Sequence, residues 1–491
     1  MGNSPGDLKD YWDLIYANDR FFGGCIWEFT DHSVNIGTKT DPKFTYGGDM
    51  GEYPHDGNFC VDGMIYPDRR PHTGLLEYKE VIKPIRVVSF DIGTSKLTVQ
   101  SLRCFTSLKD IDLYWSVEKN GAKLAYGRIC GLDIAPEATR EYFLEGIPEI
   151  GGGYCYLNLS FVSNEPRAWA SVGYEIGQEQ ICIRNSKEER AEEKKHYLLT
   201  VCEDSDCYTV TCGEQNITVS KNSGLITGVI AQGKSLLRSS ITPNIWRAPT
   251  DNDRRVRPEW EANRYDHMQT KLMSMCVTEC TSQRFEINAR LSMAANGCLP
   301  AVTLDVAYCF ENNGEWTMKW SGKHRSGMPM LPRFGIKMEL DGTLEKLSYF
   351  GRGPYESYID KRYASKMGEY HSTVTEQYEP YVRPQENMAH VDTQWLAVKS
   401  ENDIGLFIEA EEAPFSFNCS HFTAEQLTAA AHAFELEPCE NTVLYIDSAH
   451  SGIGSNSCGP ALLEKYRVND NELDLVIRVR GGMLGDFNYY S

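Results

Sequence analysis

One helix and one short strand open this 491-residue chain, and almost everything after residue 84 reads as antiparallel β. Ser4-Pro5 predicts an N-cap followed by proline at the first helical position. Leu8, Tyr11, Trp12 and Ile15 then recur at i, i+3, i+4 and i+7, which puts them on one apolar helical face. Gly23-Gly24 breaks the repeat, and Cys25-Ile26-Trp27 reads as a short buried strand. Such a strand needs parallel neighbours on both sides. The chain supplies none, so its opening reads as the last sector of a barrel whose earlier sectors lie outside it.

From Ser33 to Asp68 the chain is rich in Gly, Asp and Pro. A loop of that length inside a compact protein usually serves binding or function. Thr73 to Val81 is a candidate closing helix. Residues 85–184 then alternate with period two: Ile111, Leu113, Trp115 and Val117 share a face, Asn120-Gly121 predicts a tight hairpin turn, and Cys155, Leu157, Leu159 and Phe161 repeat the alternation. That pattern fits an immunoglobulin-like sandwich without the Cys…Trp…Cys signature of antibody domains. The mixed-sign run from Lys187 to Lys195 reads as a solvated linker over 185–196. Alternation returns from 197 to the end. Val302, Leu304, Val306 and Tyr308 run into the turn Asn312-Asn313-Gly314, and Trp316, Met318 and Trp320 lead back. Within this part only Thr423 to Ala431 reads as helix, with Thr423 and Gln426 at capping-box spacing. Two large packed sheets are the expected result.

A formal net charge of −20 with no basic stripe argues against nucleic acid as a partner. No apolar run approaches the roughly 20 residues of a membrane span. No basic-then-apolar signal opens the chain. The sixteen cysteines are scattered and none forms a Cys-x-x-Cys pair. Cys202, Cys207 and Cys212 are evenly spaced but lack a histidine or second pair at zinc-site spacing. Buried, reduced thiols are the expectation, and they point to the cytoplasm.

Chemistry concentrates in two segments, Gly24 to Asp31 and Asn58 to Gly63, each setting an aromatic beside a carboxylate. Trp27 falls where a barrel strand would emerge at its C-terminal face, the face that carries barrel active sites. An exposed indole there suits the C–H-rich face of a sugar; the alternative is a plug closing the barrel end. Glu28 and Asp31 lie close by and are better explained as acceptors for loop N–H groups than as the acid pair of a glycosidase. The Phe59 carbonyl and Asp62 offer two hard oxygen donors on one loop turn, suited to a cation completed from elsewhere; an Asx-type turn is the plainer alternative.

Several segments then occur in a fixed order: Met1-Gly2-Asn3-Ser4, Gly23-Gly24-x-x-Trp27, Tyr46-Gly47-Gly48-Asp49 and Phe59-Cys60-x-x-Gly63. Arg247-Ala248-Pro249-Thr250-Asp251-Asn252-Asp253, Gly351-Arg352-Gly353-Pro354 and Tyr381-Val382-x-Pro384-Gln385-Glu386-Asn387 follow. The ordered set resembles the C-terminal half of the long bacterial β-galactosidases among the family 2 glycoside hydrolases, from Met1 to the end of the chain. The resemblance implies a multidomain, mainly β fold. It would comprise the C-terminal piece of an (α/β)8 barrel over 1–84, an immunoglobulin-like β-sandwich over 85–184 and a large antiparallel β super-sandwich over 197–491. It implies that Trp27 stacks on galactose and that the Phe59 carbonyl and Asp62 belong to a sodium or potassium site. The family more often has Asn where this chain has Asp62. Gly452 to Pro460 resembles the loop that the last domain lends to the substrate pocket, and Cys458 stands where well-known members have Trp. A thiol there gives a smaller wall and alters aglycone preference; an inert structural thiol is the even alternative.

By the same resemblance, the nucleophilic and acid/base glutamates lie upstream of this chain, as do the magnesium ligands. Neither Glu28 nor Asp31 matches those positions, so no catalytic residue is assigned here. The implied reaction is retaining hydrolysis of terminal β-D-galactosides such as lactose. It would be carried out with the missing N-terminal half, in cis or in trans, and by a homo-oligomer when complete. A truncated or mis-started reading frame is the expected explanation of the missing half, ahead of a separately encoded subunit. The competing reading is a non-catalytic carbohydrate-binding or structural remnant.

Overall fold

The computed structural model describes residues 2–3, 5–187 and 196–485; the Ser4 cap and most of the charged run lie outside the described residues. The chain divides into two compact units. The first is Met1–Gly74, Glu193–Arg362 and Tyr370–Asn488, and the second is Leu75–Glu192 with Tyr363–Glu369.

In the first unit, helix α1 spans Leu8–Tyr16. It begins at Leu8 and not at Pro5 because left-handed Asp7 interrupts the helical path; Gly6 N–H donates to Gly454 O (2.8 Å) and Asp7 N–H to Asp360 O (2.9 Å). Asp7 takes the N-cap position with φ 49°. The segment Cys25 to Trp27 is not the buried strand that the sequence predicts. It lacks strand pairing, Cys25 is exposed, and the barrel-like contact nearby is a single parallel bridge, Thr30 to Ile65. Unpaired N–H and C=O groups do not hold a strand inside a core. The long loop after it contains two short antiparallel strands, Val34–Asn35 and Phe44–Thr45. It is anchored where Val61 and Tyr66 pack on Tyr381 and Val382, with Phe44 and Tyr46 alongside.

The remainder of this unit is antiparallel β. A large sheet orders Gln269–Cys280, Arg284–Ala294, Val302–Glu311, Trp316–His324, Glu472–Met483, Ile404–Ala410, Trp395–Lys399 and Lys346–Gly353 side by side. A second sheet orders Thr242–Asn244, Arg333–Leu340, Thr442–His450, Phe415–Ser420 and His390–Thr393. Leu199–Glu203 begins a third that runs through consecutive hairpins to Lys234–Ser235. The period-two reading carries directly into burial: Val302, Leu304, Val306, Tyr308, Trp316, Met318 and Trp320 all lie in one core, with Phe310 opposite Trp316. Each such apolar side chain contributes roughly 1.5–3 kcal/mol on leaving water.

Helix α2 (Thr73–Ile82) starts at the end of the first unit and continues into the second. In the first unit, α3 (Arg257–Ala262) and α4 (Ala424–Ala429) are short. The Thr423–Gln426 capping box forms around α4 as predicted. Helix α3 is a correction to the reading of a single helix in this part: six residues are too few for a visible helical repeat.

The second unit holds a three-stranded sheet, Ile85–Asp91, Lys96–Ser101 and Thr139–Phe143. Its other sheet has four strands in the order Ala122–Ile129, Ile111–Lys119, Gly153–Ser163, Glu175–Ser186. Lys119 pairs with Ala122 across Asn120-Gly121, both at positive φ, the two-residue hairpin expected from the sequence. Ile111, Leu113, Val117, Leu157, Leu159 and Phe161 fill its core.

All sixteen cysteines are thiols outside disulfides, as expected, but only Cys155, Cys212 and Cys419 are buried. The expectation of buried thiols fails elsewhere because strand alternation turns many of them outward, Cys182, Cys276 and Cys280 among them.

Candidate functional site

The apolar stripe of α1 does not close a core; it walls a cavity of about 600 Å³. Leu8, Tyr11, Trp12 and Ile15 form one side. Trp27, Phe59 and Asp62 form a second, and Ser455, Ser457 and Cys458 a third. The four residues that sequence reasoning singled out, Trp27, Phe59, Asp62 and Cys458, therefore meet in one place although the last is several hundred residues away. Trp27 is 82% exposed, so nothing in this chain buries it.

Backbone ties hold the two aromatic–carboxylate segments together. Glu28 N–H donates to Asp62 O (3.1 Å), His32 N–H to Cys60 O (2.7 Å) and Asp31 N–H to Ile65 O (3.0 Å). Asp31 is buried, accepting from Gly63 N–H at 2.8 Å and facing His72 Nε2 at 2.9 Å. It is the loop acceptor expected. Glu28 is not: its carboxylate faces His32 Nδ1 at 3.3 Å.

Asp62 Oδ1 is buried with no partner among the described residues. Burial holds the Asp62 carboxyl above the usual range, and the Glu28 and Asp31 charges act in the same direction. An orphaned carboxylate oxygen next to a loop carbonyl fits a cation donor set in charge and hardness. Among the described residues no cluster of three or more His, Cys, Asp or Glu able to hold a metal ion occurs.

The third wall is held by residues that the sequence marked only as family segments. Buried Arg247 pairs with Asp253 (2.8 Å) and donates to Ser451 O (2.6 Å) and Gly452 O (3.1 Å). Asn252, itself in the cavity lining, donates to Gly454 O (2.6 Å) and accepts from Ser457 N–H (3.0 Å). The opening segment is clamped equally firmly. Asn3 is fully buried, taking Gln385 Oε1 with its N–H (3.1 Å) and Glu386 O with its amide (2.7 Å). Lys361 Nζ donates to Asn3 Oδ1 (3.0 Å), Thr73 Oγ1 (2.8 Å) and Glu356 Oε1 (2.7 Å). Gly2 sits at φ 47°, and a Cβ there would fall 2.0 Å from Gln385 Nε2. Tyr46 stacks on His432 at 4.5 Å, and the Asp49 carboxylate faces His432 Nε2 at 2.8 Å.

Sequence reasoning missed Tyr11, Trp12, Asn252 and Ser455 as lining residues. The helical repeat did mark the first two, but an apolar stripe signals burial and not what buries it.

Comparison with known proteins matches three stretches of the chain. Residues 211–479 match the family described as "Beta galactosidase small chain". Residues 1–87 match "Glycosyl hydrolases family 2, TIM barrel domain", and 97–184 match "Beta-galactosidase, domain 4". A relative from Actinobacillus pleuropneumoniae named "Beta-galactosidase" is 34% identical over 480 residues, covering 97% of this chain and 46% of the relative. One of the same name from Staphylococcus xylosus is 31% identical over 491 residues, covering 98% and 48% respectively. Another from Priestia megaterium is 29% identical over 461 residues, covering 93% and 44%. The chain thus spans about half the length of these relatives. Among the described residues, no helix is long and apolar enough to cross a membrane.

Proposed function

The chain belongs to the β-galactosidases of glycoside hydrolase family 2, and from that premise we propose that it supplies the sugar-holding walls of a galactoside-hydrolysing site. The reacting carboxylates would come from polypeptide matching the part of the relatives that this chain does not span. One observation carries the reading: the cavity unites an exposed indole, an orphaned carboxylate oxygen and the Cys458 loop. Among its described lining residues Asp62 is the one carboxylate. Retaining cleavage needs two, roughly 5–5.5 Å apart, one attacking the anomeric carbon and one protonating the leaving oxygen.

In this reading Trp27 presents its indole face to the apolar face of galactose, and the α1 stripe excludes water from the other side. Covering roughly 100 Å² of indole is worth about 2.5 kcal/mol at 25 cal/mol per Å². The Phe59 carbonyl and the Asp62 carboxylate would hold a sodium or potassium ion. When bound, that ion would neutralise Asp62 and attract sugar hydroxyl oxygens. Cys458, smaller than an indole, leaves the outer end of the cavity wider for the aglycone. The free cysteines fit a reducing compartment, and we place the activity in the cytoplasm.

The test is a chimera in which this chain replaces the matching half of the Actinobacillus pleuropneumoniae relative, assayed with a chromogenic β-galactoside. Turnover by the chimera, lost on mutating either upstream glutamate, supports the proposal. A folded chimera that binds galactosides without cleaving them supports a non-catalytic carbohydrate-binding role instead. Hydrolysis of lactose by the chain alone would overturn the division of labour.

A further inference from the structure

Three short backbone segments meet behind the Phe59 to Asp62 turn. Phe29 O accepts from Met64 N–H (2.9 Å) and Ile65 N–H (3.0 Å), and Met64 O accepts from His72 N–H (3.0 Å). Ile65 also bridges to Thr30 and to Pro71. The side chains of Asp31 and His72, 1% and 2% exposed, meet at this junction. Neither lines the cavity that holds Trp27 and Asp62. The Asp62–Gly63 peptide is held at both ends: its C=O accepts from Glu28 N–H and its N–H donates to Asp31 Oδ1. The approach is close because Gly63 has no side chain, and a Cβ there would fall 2.2 Å from the Asp31 nitrogen. Asp31 Oδ2 faces His72 Nε2 at 2.9 Å, while His72 Nδ1 is buried with no partner among the described residues. A ring proton on Nε2 meets the Asp31 carboxylate, whereas one on Nδ1 would have no acceptor and would set two lone pairs face to face. His72 therefore donates to Asp31. The Tyr66 ring, its centroid 3.8 Å from that of His72, holds the imidazole in place.

We propose that Asp31 and His72 are positioning residues for the cation donors on the neighbouring turn. His72 locks the Asp31 carboxylate, Asp31 pins the Asp62–Gly63 peptide, and the pinned peptide fixes the direction of the Asp62 side chain. Gly63 makes the pin necessary. The close approach demands glycine, yet glycine has the widest choice of backbone conformations, so a side-chain bond supplies the order that the backbone lacks. A carboxylate donor holds a cation only while its oxygens stay in place, and hydrogen bonds behind the ligand keep them there. The proposal rests on the cation reading of Phe59 and Asp62, and not on hydrolysis.

Two measurements test it. In the chain alone, amide exchange at Gly63 should quicken about tenfold or more in Asp31→Ala and His72→Phe. It should stay near wild type in Asp31→Asn, which keeps the Oδ1 acceptor and turns an amide towards His72. In the chimera with the Actinobacillus pleuropneumoniae relative, sodium NMR line broadening, at ionic strength held with choline chloride, measures the binding that Asp62→Ala abolishes. His72→Phe keeps a ring on Tyr66 but withdraws the proton from Asp31. It and Asp31→Ala should weaken sodium binding about tenfold, and Asp31→Asn about twofold at most. Asp31 also acts on Asp62 through its charge, and the Asn variant separates that effect from position. The two Asp31 variants carry the test where His72→Phe does not fold. A merely structural role would lower urea midpoints and leave the sodium affinity of the folded chimera unchanged, which would overturn the proposal. So would unaltered Gly63 exchange in His72→Phe, an Asp31→Asn chimera as weak as Asp31→Ala, or a wild-type chimera without Asp62-dependent broadening. Sodium binding by a chimera that cleaves no galactoside would count against the function proposed above and leave this result standing.

Discussion

Trp27 and Arg247 show how differently two residues of this site matter. Trp27 is exposed, so Trp27→Ala should leave folding within about 0.5 kcal/mol of wild type. In the active chimera it should raise the KM for galactosides about 60-fold, since about 2.5 kcal/mol of stacking disappears and each 1.4 kcal/mol is tenfold. An unchanged KM would remove Trp27 from the sugar platform. Arg247 is fully buried and satisfied by Asp253, Ser451 and Gly452. Arg247→Met strands the Asp253 charge and two carbonyls, and should cost roughly 3–5 kcal/mol in urea unfolding. The sequence made Trp27 legible through its place in the ordered segment Gly23-Gly24-x-x-Trp27, since a local pattern alone allowed a plug as well. It could not make Arg247 legible as a loop clamp, because its acceptors are backbone carbonyls two hundred positions away.

At the scale of elements, period-two strands were readable and irregular segments were not. The Ile111–Lys119 and Ala122–Ile129 hairpin follows from alternation plus Asn-Gly, since each central residue sits at positive φ. Gly121→Ala should destabilise the second unit by roughly 1–2 kcal/mol, the cost of a left-handed non-glycine residue, measurable as a shift in its unfolding midpoint. Asn120→Ala should cost at least as much, because it also strands the buried Tyr154 N–H that donates to Asn120 Oδ1 at 2.8 Å. Helix α1 was readable as a helix but its start was not, and the Cys25 to Trp27 segment has the composition of a strand without its pairing. Composition reports what a segment can form; pairing depends on what lies beside it.

For the whole molecule, the first 74 residues belong to the same compact unit as the C-terminal sheets. Their buried side chains find partners there: Asn3 on Gln385 and Glu386, Tyr66 on Tyr381, Thr73 on Lys361. A peptide of residues 1–74 should therefore be unfolded by circular dichroism and should gain protection when the remaining chain is added. Acidity provides a second global readout. Asp7 and Glu379, both in this unit, are held near 7 chiefly by burial, whereas in the unfolded chain they titrate near 4. Between those values the folded state binds more protons, so stability falls as pH rises from about 4 to about 7 and levels off above that. Urea midpoints from pH 5 to 7.5 should show this decline, and Asp7→Asn with Glu379→Gln should flatten it. By itself the sequence determined the β architecture, the domain order and the family, because side-chain alternation and short ordered segments are local properties of a chain. Only the tertiary structure decided that the α1 stripe walls a cavity, that Cys458 and Trp27 line the same one, and that Asp7 N–H bonds Asp360 O. Those contacts join residues hundreds of positions apart, and local patterning carries no record of distance in space.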